Sequence, residues 1–283
     1  MIKIMTDLSA DIPKELAKEL DIAVLPFYIN CGDESILADV NYTPDMFYEK
    51  FKTLDEMPGT SQPSPALLED MYRELGKDNQ IIHVTIPANS SGIVNTARNI
   101  SSQLIEDEGF DITVIDSSLY SYGIGIIVVE AAKMAKNGAT KDEIVAFLKE
   151  RFEKDRVYFI VDDLKYLQKG GRIKATTMVV SKVLDIKPIL WSNDGMVEAF
   201  DKVKGLKRAI SKMVDIVAEN IEDAENATVV VMHADAPDKA ELTVEMIKNK
   251  VNPKNIEIGK VGPIITCHAG VGVFGVYFRH KGM

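Results

Sequence analysis

Hydroxyl side chains gather in a turn just before a helical pattern, at residues 57–65 (MPGTSQPSP). Ser64 has the side chain of a helix N-cap, and Pro65 suits the first position of a helix. Thr60 and Ser61 would then lie near unpaired backbone amides at the positive end of a helix, which attract anions. The segment predicts either an anion site or ordinary capping of the helix that follows.

A second polar turn, at residues 85–95 (TIPANSSGIVN), follows an apolar strand pattern and leads into a helix pattern. Open α/β sheets bind ligands at such switches from strand to helix. Ser91 offers a hydroxyl and Gly92 an unobstructed backbone amide near a positive helix end, and Asn95 is a candidate further contact. The alternative is a capped turn without a ligand. No GxGxxG or GxxxxGK[ST] spacing is present, so no nucleotide site is predicted.

Two glycine-rich segments carry the remaining candidates. Residues 166–173 (YLQKGGRI) hold a turn flanked by cations, and Arg172 either donates a bidentate contact to a carboxylate or phosphate or remains solvated. Residues 262–272 (GPIITCHAGVG) place His268, one of four histidines, in a turn of small residues where a backbone can approach a ligand closely.

Nucleophilic catalysis by Ser61 or Ser91 with His268 would need a GxSxG elbow and an orienting acid, and the sequence identifies neither. No catalytic residue is therefore expected. Cys31 and Cys267 form no CxxC and no paired His/Cys spacing, so neither a zinc site nor a disulfide framework is expected. The absence of such patterns also predicts no metal and no cofactor other than a bound ligand.

Short β-branched runs alternate with amphipathic stretches from one end of the chain to the other, which predicts an α/β fold with mostly parallel sheets. Helix starts are predicted at Pro13, at Thr43, at Ser64, at Thr140 with Glu143, and at Pro237. Predicted strands cover residues 2–6, 23–29, 80–86, 112–116, 157–161, 186–191, 197–203, 227–233 and 256–261.

A charged turn at residues 154–156 follows a complete series of strands and helices, so we predict two packed α/β domains, residues 1–155 and 156–283. Residues 178–184, downstream of Arg172, form an apolar patch that is expected to be core or tunnel wall. Its apolar residues are Met178, Val179, Val180, Val183 and Leu184.

Composition excludes several function classes. The 283 residues carry 33 cationic and 43 acidic side chains, a net charge of −10, which gives no general attraction to nucleic acid or to anionic membranes. Residues 1–7 read as a strand rather than a leader, and the apolar windows are far shorter than a membrane span. A cytoplasmic protein without stable membrane insertion is expected.

Taken in order, four motifs resemble the DegV family. Residues 6–13 (TDLSADIP) are similar to its TDSSADLP start, and residues 60–64 match its TSQPS signature unchanged. Residues 164–173 resemble LxYLxKGGRI, with Gln168 as the departure, and residues 262–272 resemble its closing GPxxxxHxGxG. Four motifs in the same order over the whole chain are far more specific than any one of them.

The resemblance implies two α/β domains that hold a long-chain fatty acid between them, with the tail in an apolar tunnel. Carried onto this sequence, it implies that Thr60, Ser61, Ser91, the Gly92 amide and His268 hold the carboxylate. It further implies a non-catalytic, lipid-binding subunit of a bacterial fatty acid kinase, whose separate kinase subunit phosphorylates the bound acid to an acyl phosphate.

Two departures bear on that expectation. The family segment SSGLSGTYQSA reads PANSSGIVNTA at residues 87–97, which keeps Ser91 and Gly92 but has Ile93 where the family has threonine. Members that act with a kinase often carry an arginine after an Asp-Gly turn, where this sequence has Lys204, and lysine is not an equivalent fork.

Two other function classes stay open at this stage. One is a stand-alone enzyme, either a phosphotransferase similar to dihydroxyacetone kinases or an acyl hydrolase that uses Ser61 or Ser91 with His268. The other is a regulatory binding module without a metabolic ligand. Of the three classes, the lipid-binding reading fits best because the polar turns supply hydrogen-bond donors and no nucleophile.

Overall fold

Strands and helices alternate in the protein, a computed structural model of which describes residues 1–174 and 185–282. The strands are β1 (Ile2–Asp7), β2 (Ile22–Leu25), β3 (Phe27–Cys31), β4 (Glu34–Ala38), β5 (Gly59–Ser61), β6 (Gln80–Thr85), β7 (Asp111–Asp116), β8 (Arg156–Ile160), β9 (Ile186–Asn193), β10 (Met196–Lys204), β11 (Thr228–His233), β12 (Asn255–Lys260) and β13 (Phe274–Phe278). The helices are α1 (Lys14–Glu19), α2 (Pro44–Lys52), α3 (Pro65–Leu75), α4 (Ile93–Glu108), α5 (Tyr122–Lys136), α6 (Lys141–Lys154), α7 (Lys165–Gly170), α8 (Leu206–Asn220), α9 (Pro237–Lys250) and α10 (Pro263–Ala269). The predicted α/β class is confirmed.

The first sheet is parallel throughout, in the order β2-β1-β6-β7. From β1 the chain passes to β2 on one side and returns as β6 on the other, so the carboxyl ends of β1 and β6 flank a crevice. The buried carboxylate of Asp7, at the end of β1, accepts a 2.7 Å hydrogen bond from the Ile86 amide beyond β6. This bond holds the two strand ends together at the crevice.

A small antiparallel sheet, β4-β3-β5, was predicted only in part. The single strand predicted over residues 23–29 is two strands, because Pro26 has no amide hydrogen to continue the ladder and the chain changes sheet there. β4 and β5 were not predicted. β5 is only three residues long, too short for a periodic pattern to appear in the sequence.

The second sheet has the order β10-β9-β8-β13-β11-β12. The mostly parallel arrangement predicted for it is wrong: only β11 and β12 pair in parallel, and the other four pairings are antiparallel. The reason is β13, which inserts between β8 and β11 and runs antiparallel to both. This strand was missed because its five residues are all buried and show no alternation.

The two faces of the second sheet have different partners. Tyr158 and Ile160 of β8 belong to the apolar cluster beneath α8 and α9, together with Phe274 and Val276 of β13. The alternate residues Val157 and Phe159 point to the opposite face and join the core that continues into the first sheet. One face of the second sheet therefore looks towards the first.

Most helix starts follow the predicted chemistry. Thr43 and Ser64 accept hydrogen bonds from the amides of Met46 and Leu67, and Thr140 with Glu143 forms a capping box. Pro237 lies in the first turn of α9, as predicted. The apolar residues expected to form core or tunnel wall, 178–184, lie outside the described residues.

The domain division at residues 154–156 stays a prediction. The first and small sheets use strands that end before residue 155, and the second sheet uses strands that begin after it. The turn itself is less exposed than its charges suggested. Asp155 is fully buried, pairs with Arg151, and accepts hydrogen bonds from the Tyr277 hydroxyl and the His280 amide.

Candidate functional site

A cavity of about 270 Å³ lies where the three sheets meet. The carboxyl edge of the first sheet contributes Ile86, the small sheet contributes Phe27, and the inner face of the second sheet contributes Phe159. Most of its lining is apolar, and the other apolar residues of the wall are Val157, Leu167, Val197, Met232, Val261, Ile264, Ile265, Ala269, Val273 and Gly275. Residues from both halves of the chain are needed to enclose it.

Polar side chains form one part of the cavity lining. Thr60 and His268 are 208 residues apart in sequence, and the Thr60 Oγ1 and His268 Nε2 atoms are 2.8 Å apart, within hydrogen-bond distance. Both residues line the cavity, as do Ser91, Gly92 and Arg172. Four of the five residues predicted to hold a carboxylate therefore border one cavity.

Ser61 is the exception, and the expectation that it faces the same ligand as Thr60 is corrected. Adjacent residues of a strand point to opposite faces. Thr60 pairs with the buried Ile29 of β3 and faces inward. Ser61 faces outward, where its hydroxyl accepts a 2.8 Å hydrogen bond from Asn30, and it does not line the cavity.

His268 is held by two short helices rather than by the turns that the sequence predicted. It lies in the last turn of α10, and Gly170 at the end of α7 packs against its ring, because a Cβ at Gly170 would lie 2.6 Å from His268 Nδ1. At the end of α10, a Cβ at Gly270 would likewise lie 2.6 Å from the ring of Tyr166 in α7. The glycines of both motifs let α7 and α10 approach each other closely.

The end of α7 determines where Arg172 lies. Gly171 ends α7 with a φ of 70°, a left-handed conformation that favours glycine and turns the chain back towards the cavity. The Arg172 guanidinium then donates hydrogen bonds to the backbone oxygens of Ser90, at 3.0 Å, and Gly170. A half-buried cation thus joins the loop before α4 to the end of α7.

The amino end of α4 supplies the remaining donors. Gly92 is the N-cap residue, and Ser91 stands just before it, with its hydroxyl accepting a 3.4 Å hydrogen bond from the Ile93 amide. The 16-residue helix directs its positive end and unpaired amides towards the cavity lining at these two residues. Gln62 lies against Gly92 and hydrogen-bonds Thr96 at 3.2 Å, which links the end of β5 to α4.

The imidazole of His268 is neutral at physiological pH. Burial, together with the nearby positive charge of Arg172, lowers its pKa from 6.5 to about 4. A neutral imidazole donates or accepts a hydrogen bond without adding charge, so Arg172 is the cationic side chain of this lining. The arrangement suits a single anionic group at the end of an apolar cavity.

The family model for uncharacterised proteins of the DegV family matches residues 1–281. The chain belongs to the DegV family. A DegV domain-containing protein of Clostridium perfringens is 32% identical over 280 residues, which cover 97% of this chain and 96% of that protein.

Solved DegV structures have the same fold. DegV of Bacillus subtilis, described as a fatty acid binding protein, has a TM-score of 0.87 at 29% identity, with 99% of each chain covered. A DegV family protein of Thermus thermophilus, described by its fatty acid binding, also has a TM-score of 0.87, at 27% identity and with 99% of each chain covered.

Two residues that the DegV motifs brought into consideration lie away from the cavity. Asn95 is exposed on α4 and does not line it. Lys204 is exposed at the end of β10 and borders a separate surface depression with Lys207 and Arg208. Neither is a candidate head-group contact in this geometry. At the start of α3, Ser64 caps the Leu67 amide, which is the ordinary capping that the sequence offered as the alternative to an anion site.

Four polar residues of the lining were not singled out from the sequence. Gln62 and Ser90 lie inside the DegV motifs, next to residues that were chosen, so their neighbours were the available signal. Tyr120 and Ser121 follow β7, the next strand of the parallel sheet after β6. The available signal was their position after β7, because the carboxyl ends of parallel strands lie at the same edge of a sheet.

The chemistry open to this lining is hydrogen bonding and charge pairing. In residues 1–174 and 185–282, no carboxylate hydrogen-bonds the His268 ring, so a Ser-His-acid arrangement is not assembled. Over the same residues, no group of three or more His, Cys, Asp or Glu side chains could hold a metal ion. No described helix combines the length and apolarity needed to cross a membrane.

Proposed function

We propose that this protein binds a long-chain fatty acid, with the acyl tail along the apolar wall and the carboxylate at the Thr60–His268 end of the cavity. The observation that carries the proposal is the cavity lining itself, which is apolar except for a set of hydrogen-bond donors from both halves of the chain. The two solved DegV proteins, both described by their fatty acid binding, support the same ligand class.

The tail would supply most of the affinity. A sixteen-carbon acid has about 14 methylenes, and each contributes about 0.8 kcal/mol on transfer from water, or roughly 11 kcal/mol before the entropy of binding is subtracted. The cavity of about 270 Å³ lies just below the roughly 300–1,000 Å³ that is typical of small-molecule sites.

The head group needs compensation because a buried carboxylate without partners costs several kcal/mol. With the His268 Nε2–H donating to the Thr60 oxygen, the Thr60 and Ser91 hydroxyls can donate to the carboxylate, and the α4 amides add a positive helix end. The Arg172 guanidinium supplies the opposite charge. Proximity to the bound carboxylate would also raise the pKa of His268 from its low value in the free protein.

The test is native mass spectrometry of the protein as purified from its own cells or from an expression host. We expect a mass excess that organic extraction removes and that corresponds to C14–C18 acids. A protein that carries no acyl chain, and that binds none when delipidated protein is titrated with hexadecanoic acid, would contradict the proposal.

We further propose that a separate kinase subunit phosphorylates the bound acid, so that this chain presents the substrate without an ATP site. The absence of a phosphate-loop motif from the sequence supports this division of roles. The test is to mix the loaded protein, ATP and the candidate kinase subunit, and to trap acyl phosphate as a hydroxamate. Product formed by the isolated chain alone would favour the stand-alone phosphotransferase instead.

A further inference from the structure

The β9–β10 hairpin reaches from the second sheet to the loops that carry the head-group donors. Asn193 pairs with Met196 across a two-residue turn of Asp194 and Gly195, whose φ values are 48° and 70°. Positive φ at both central residues is typical of a type I′ turn, whose twist matches that of the two strands it joins. Residues 192–197 are called the hairpin tip below.

Three side-chain hydrogen bonds join the hairpin tip to loops of the first half of the chain. Asn89 donates to the Asp194 carbonyl at 2.7 Å, and the Tyr120 hydroxyl donates to the Gly195 carbonyl. Ser192 donates to the Ser118 carbonyl at 2.6 Å. In each bond a side chain contacts backbone of the opposite half, so the hairpin tip is fixed to the loops that follow β6 and β7.

Gly195 also fits closely against Pro87. A Cβ at Gly195 would lie 2.5 Å from the Pro87 Cβ, closer than real Cβ atoms approach a neighbour. The Pro87 carbonyl accepts hydrogen bonds from the amides of Ser90 and Ser91, both at 3.0 Å. Pro87 therefore begins the turn that carries Ser91 and Gly92 to the cavity, and the hairpin tip sets where that turn begins.

The other side of the hairpin tip holds Arg172. The Val197 amide donates to the Arg172 carbonyl at 3.1 Å, and the Lys174 amide donates to the Val197 carbonyl at 2.9 Å. Val197 lines the cavity as well. The hairpin tip is thus bonded to both groups of donors: the loop that presents Ser91 and Gly92, and the segment that presents the only cation found in the lining over residues 1–174 and 185–282.

We propose that the hairpin tip sets the spacing between Arg172 and the Ser91–Gly92 turn, so that Asn89, Tyr120 and Gly195 are positioning residues that determine selectivity for a carboxylate over a neutral head group. The proposal rests on the fatty acid site proposed above. It differs from a direct binding role, because the Asn89 side chain is exposed and does not line the cavity. Its effect acts through the placement of donors.

Two substitutions with matched controls test this. Asn89→Ala removes one hydrogen bond from a side-chain amide to a carbonyl. Asn220→Ala removes a similar bond, from Asn220 to the Ile216 carbonyl at 2.8 Å, between two residues that do not line the cavity. Gly195→Ala places a methyl against Pro87, and Gly32→Ala places one at another left-handed hairpin glycine with no neighbour within 4 Å. Both glycine variants place an alanine in a left-handed conformation and so share the backbone strain, but only Gly195→Ala adds a collision with Pro87.

The measurement is the ratio of the Kd values of delipidated protein for hexadecanol and hexadecanoic acid. We expect the preference for the acid to fall about 10-fold in Gly195→Ala and about 3-fold in Asn89→Ala, because misplaced donors weaken charge-assisted hydrogen bonds. The controls are expected to keep the wild-type ratio. The carboxyl ¹³C NMR shift of bound [1-¹³C]hexadecanoic acid is expected to move in the same two variants only, which a loss of stability alone would not cause.

The outcomes separate the two proposals. If the wild type prefers the acid and both hairpin variants keep that preference and the ¹³C shift, the positioning role is wrong and the lipid site stands. Equal losses of affinity for the acid and the alcohol in the hairpin variants would also overturn the positioning role. A wild type that binds neither ligand contradicts the lipid site and this inference together. If Gly195→Ala does not fold, Asn89→Ala, which deletes a single hydrogen bond from a side chain outside the cavity lining, decides the question.

Discussion

The two parts of the cavity lining are built in different ways. The apolar wall comes largely from one face of the second sheet and from α10, where strand alternation decides which side chains point inward. The polar end comes from loops and helix ends of both halves, with Thr60, Ser91, Arg172 and His268 each on a different element. The wall is suited to give affinity by apolar area, and the polar end to give selectivity by placing donors.

The largest expected effect is on the wall. Val273→Phe adds a ring to a buried lining residue and removes space for about three to four methylenes. At about 0.8 kcal/mol each, affinity for hexadecanoic acid should fall about 100-fold, and affinity for decanoic acid should change much less. Isothermal titration calorimetry across a series of chain lengths measures this.

The control for the wall is Val203→Phe, which adds the same ring on the outer face of the second sheet, against the cluster beneath α8. It should lower stability by about 1–3 kcal/mol without changing the preference for chain length. A Val273→Phe protein that still binds hexadecanoic acid at the wild-type level would show that the tail lies elsewhere.

A smaller, selective effect is expected at the polar end. Thr60→Val keeps the shape of the side chain but removes its hydroxyl, so affinity for the acid should fall about 10- to 100-fold, and affinity for the alcohol should fall less. Ser61→Ala, one residue along β5 on the opposite face, should change neither value by more than about 2-fold, because the Ser61 hydroxyl accepts from Asn30 and does not line the cavity. Equal effects of the two substitutions would break the distinction between inward and outward faces of β5.

The polar end should also titrate, whereas the wall has nothing to titrate. The pKa of His268 is about 4 in the folded protein and 6.5 without burial, so the folded state binds fewer protons between those values. As pH falls from about 6.5 to 4, the free wild type should lose stability relative to His268→Gln by about 2–3 kcal/mol.

Urea unfolding of both delipidated proteins at pH 7, 5.5 and 4.5 measures this difference. Comparing the two proteins at the same pH cancels the contributions of the carboxyl groups to stability. These include Asp11, whose burial raises its pKa to about 7 and gives a trend with pH in the opposite direction. A stability difference that does not change with pH would mean that His268 is not held neutral by its surroundings.

The smallest effect on binding is expected outside the cavity. Lys204→Glu reverses a charge in the depression bordered by Lys207 and Arg208. It should leave the fatty acid Kd within about 2-fold of the wild type, since the residue does not line the cavity, but it should slow acyl phosphate formation by a kinase partner if this surface is the contact. Loss of fatty acid affinity in this variant would contradict the separation of the two regions.

The sequence predicted those features that depend on local chemistry. Strands such as residues 80–86 and 186–191 have the expected composition, and the caps at Thr43, Ser64 and Thr140 were visible as residue types. Motif residues Thr60, Ser91 and His268 do meet at one cavity. Such features can be recognised from the residues next to them in the sequence.

Features that depend on distant parts of the chain were not predicted. Ser61 was grouped with Thr60 because the facing of a three-residue strand is set by its pairing with β3, not by its own sequence. The antiparallel second sheet depends on where β13 inserts. The wall residues carry no motif, because any apolar side chain of suitable size satisfies the packing there.

The central claim is that an acyl chain lies in this cavity with its carboxylate at Thr60 and His268. The most direct measurement is a crystal structure of the delipidated protein with 16-bromohexadecanoic acid, in which anomalous scattering locates the bromine. We expect the bromine among the apolar wall residues and a carboxylate oxygen within hydrogen-bond distance of Thr60 Oγ1. A bromine beside His268 with the carboxylate at the wall, or a ligand bound outside the cavity, would contradict the account.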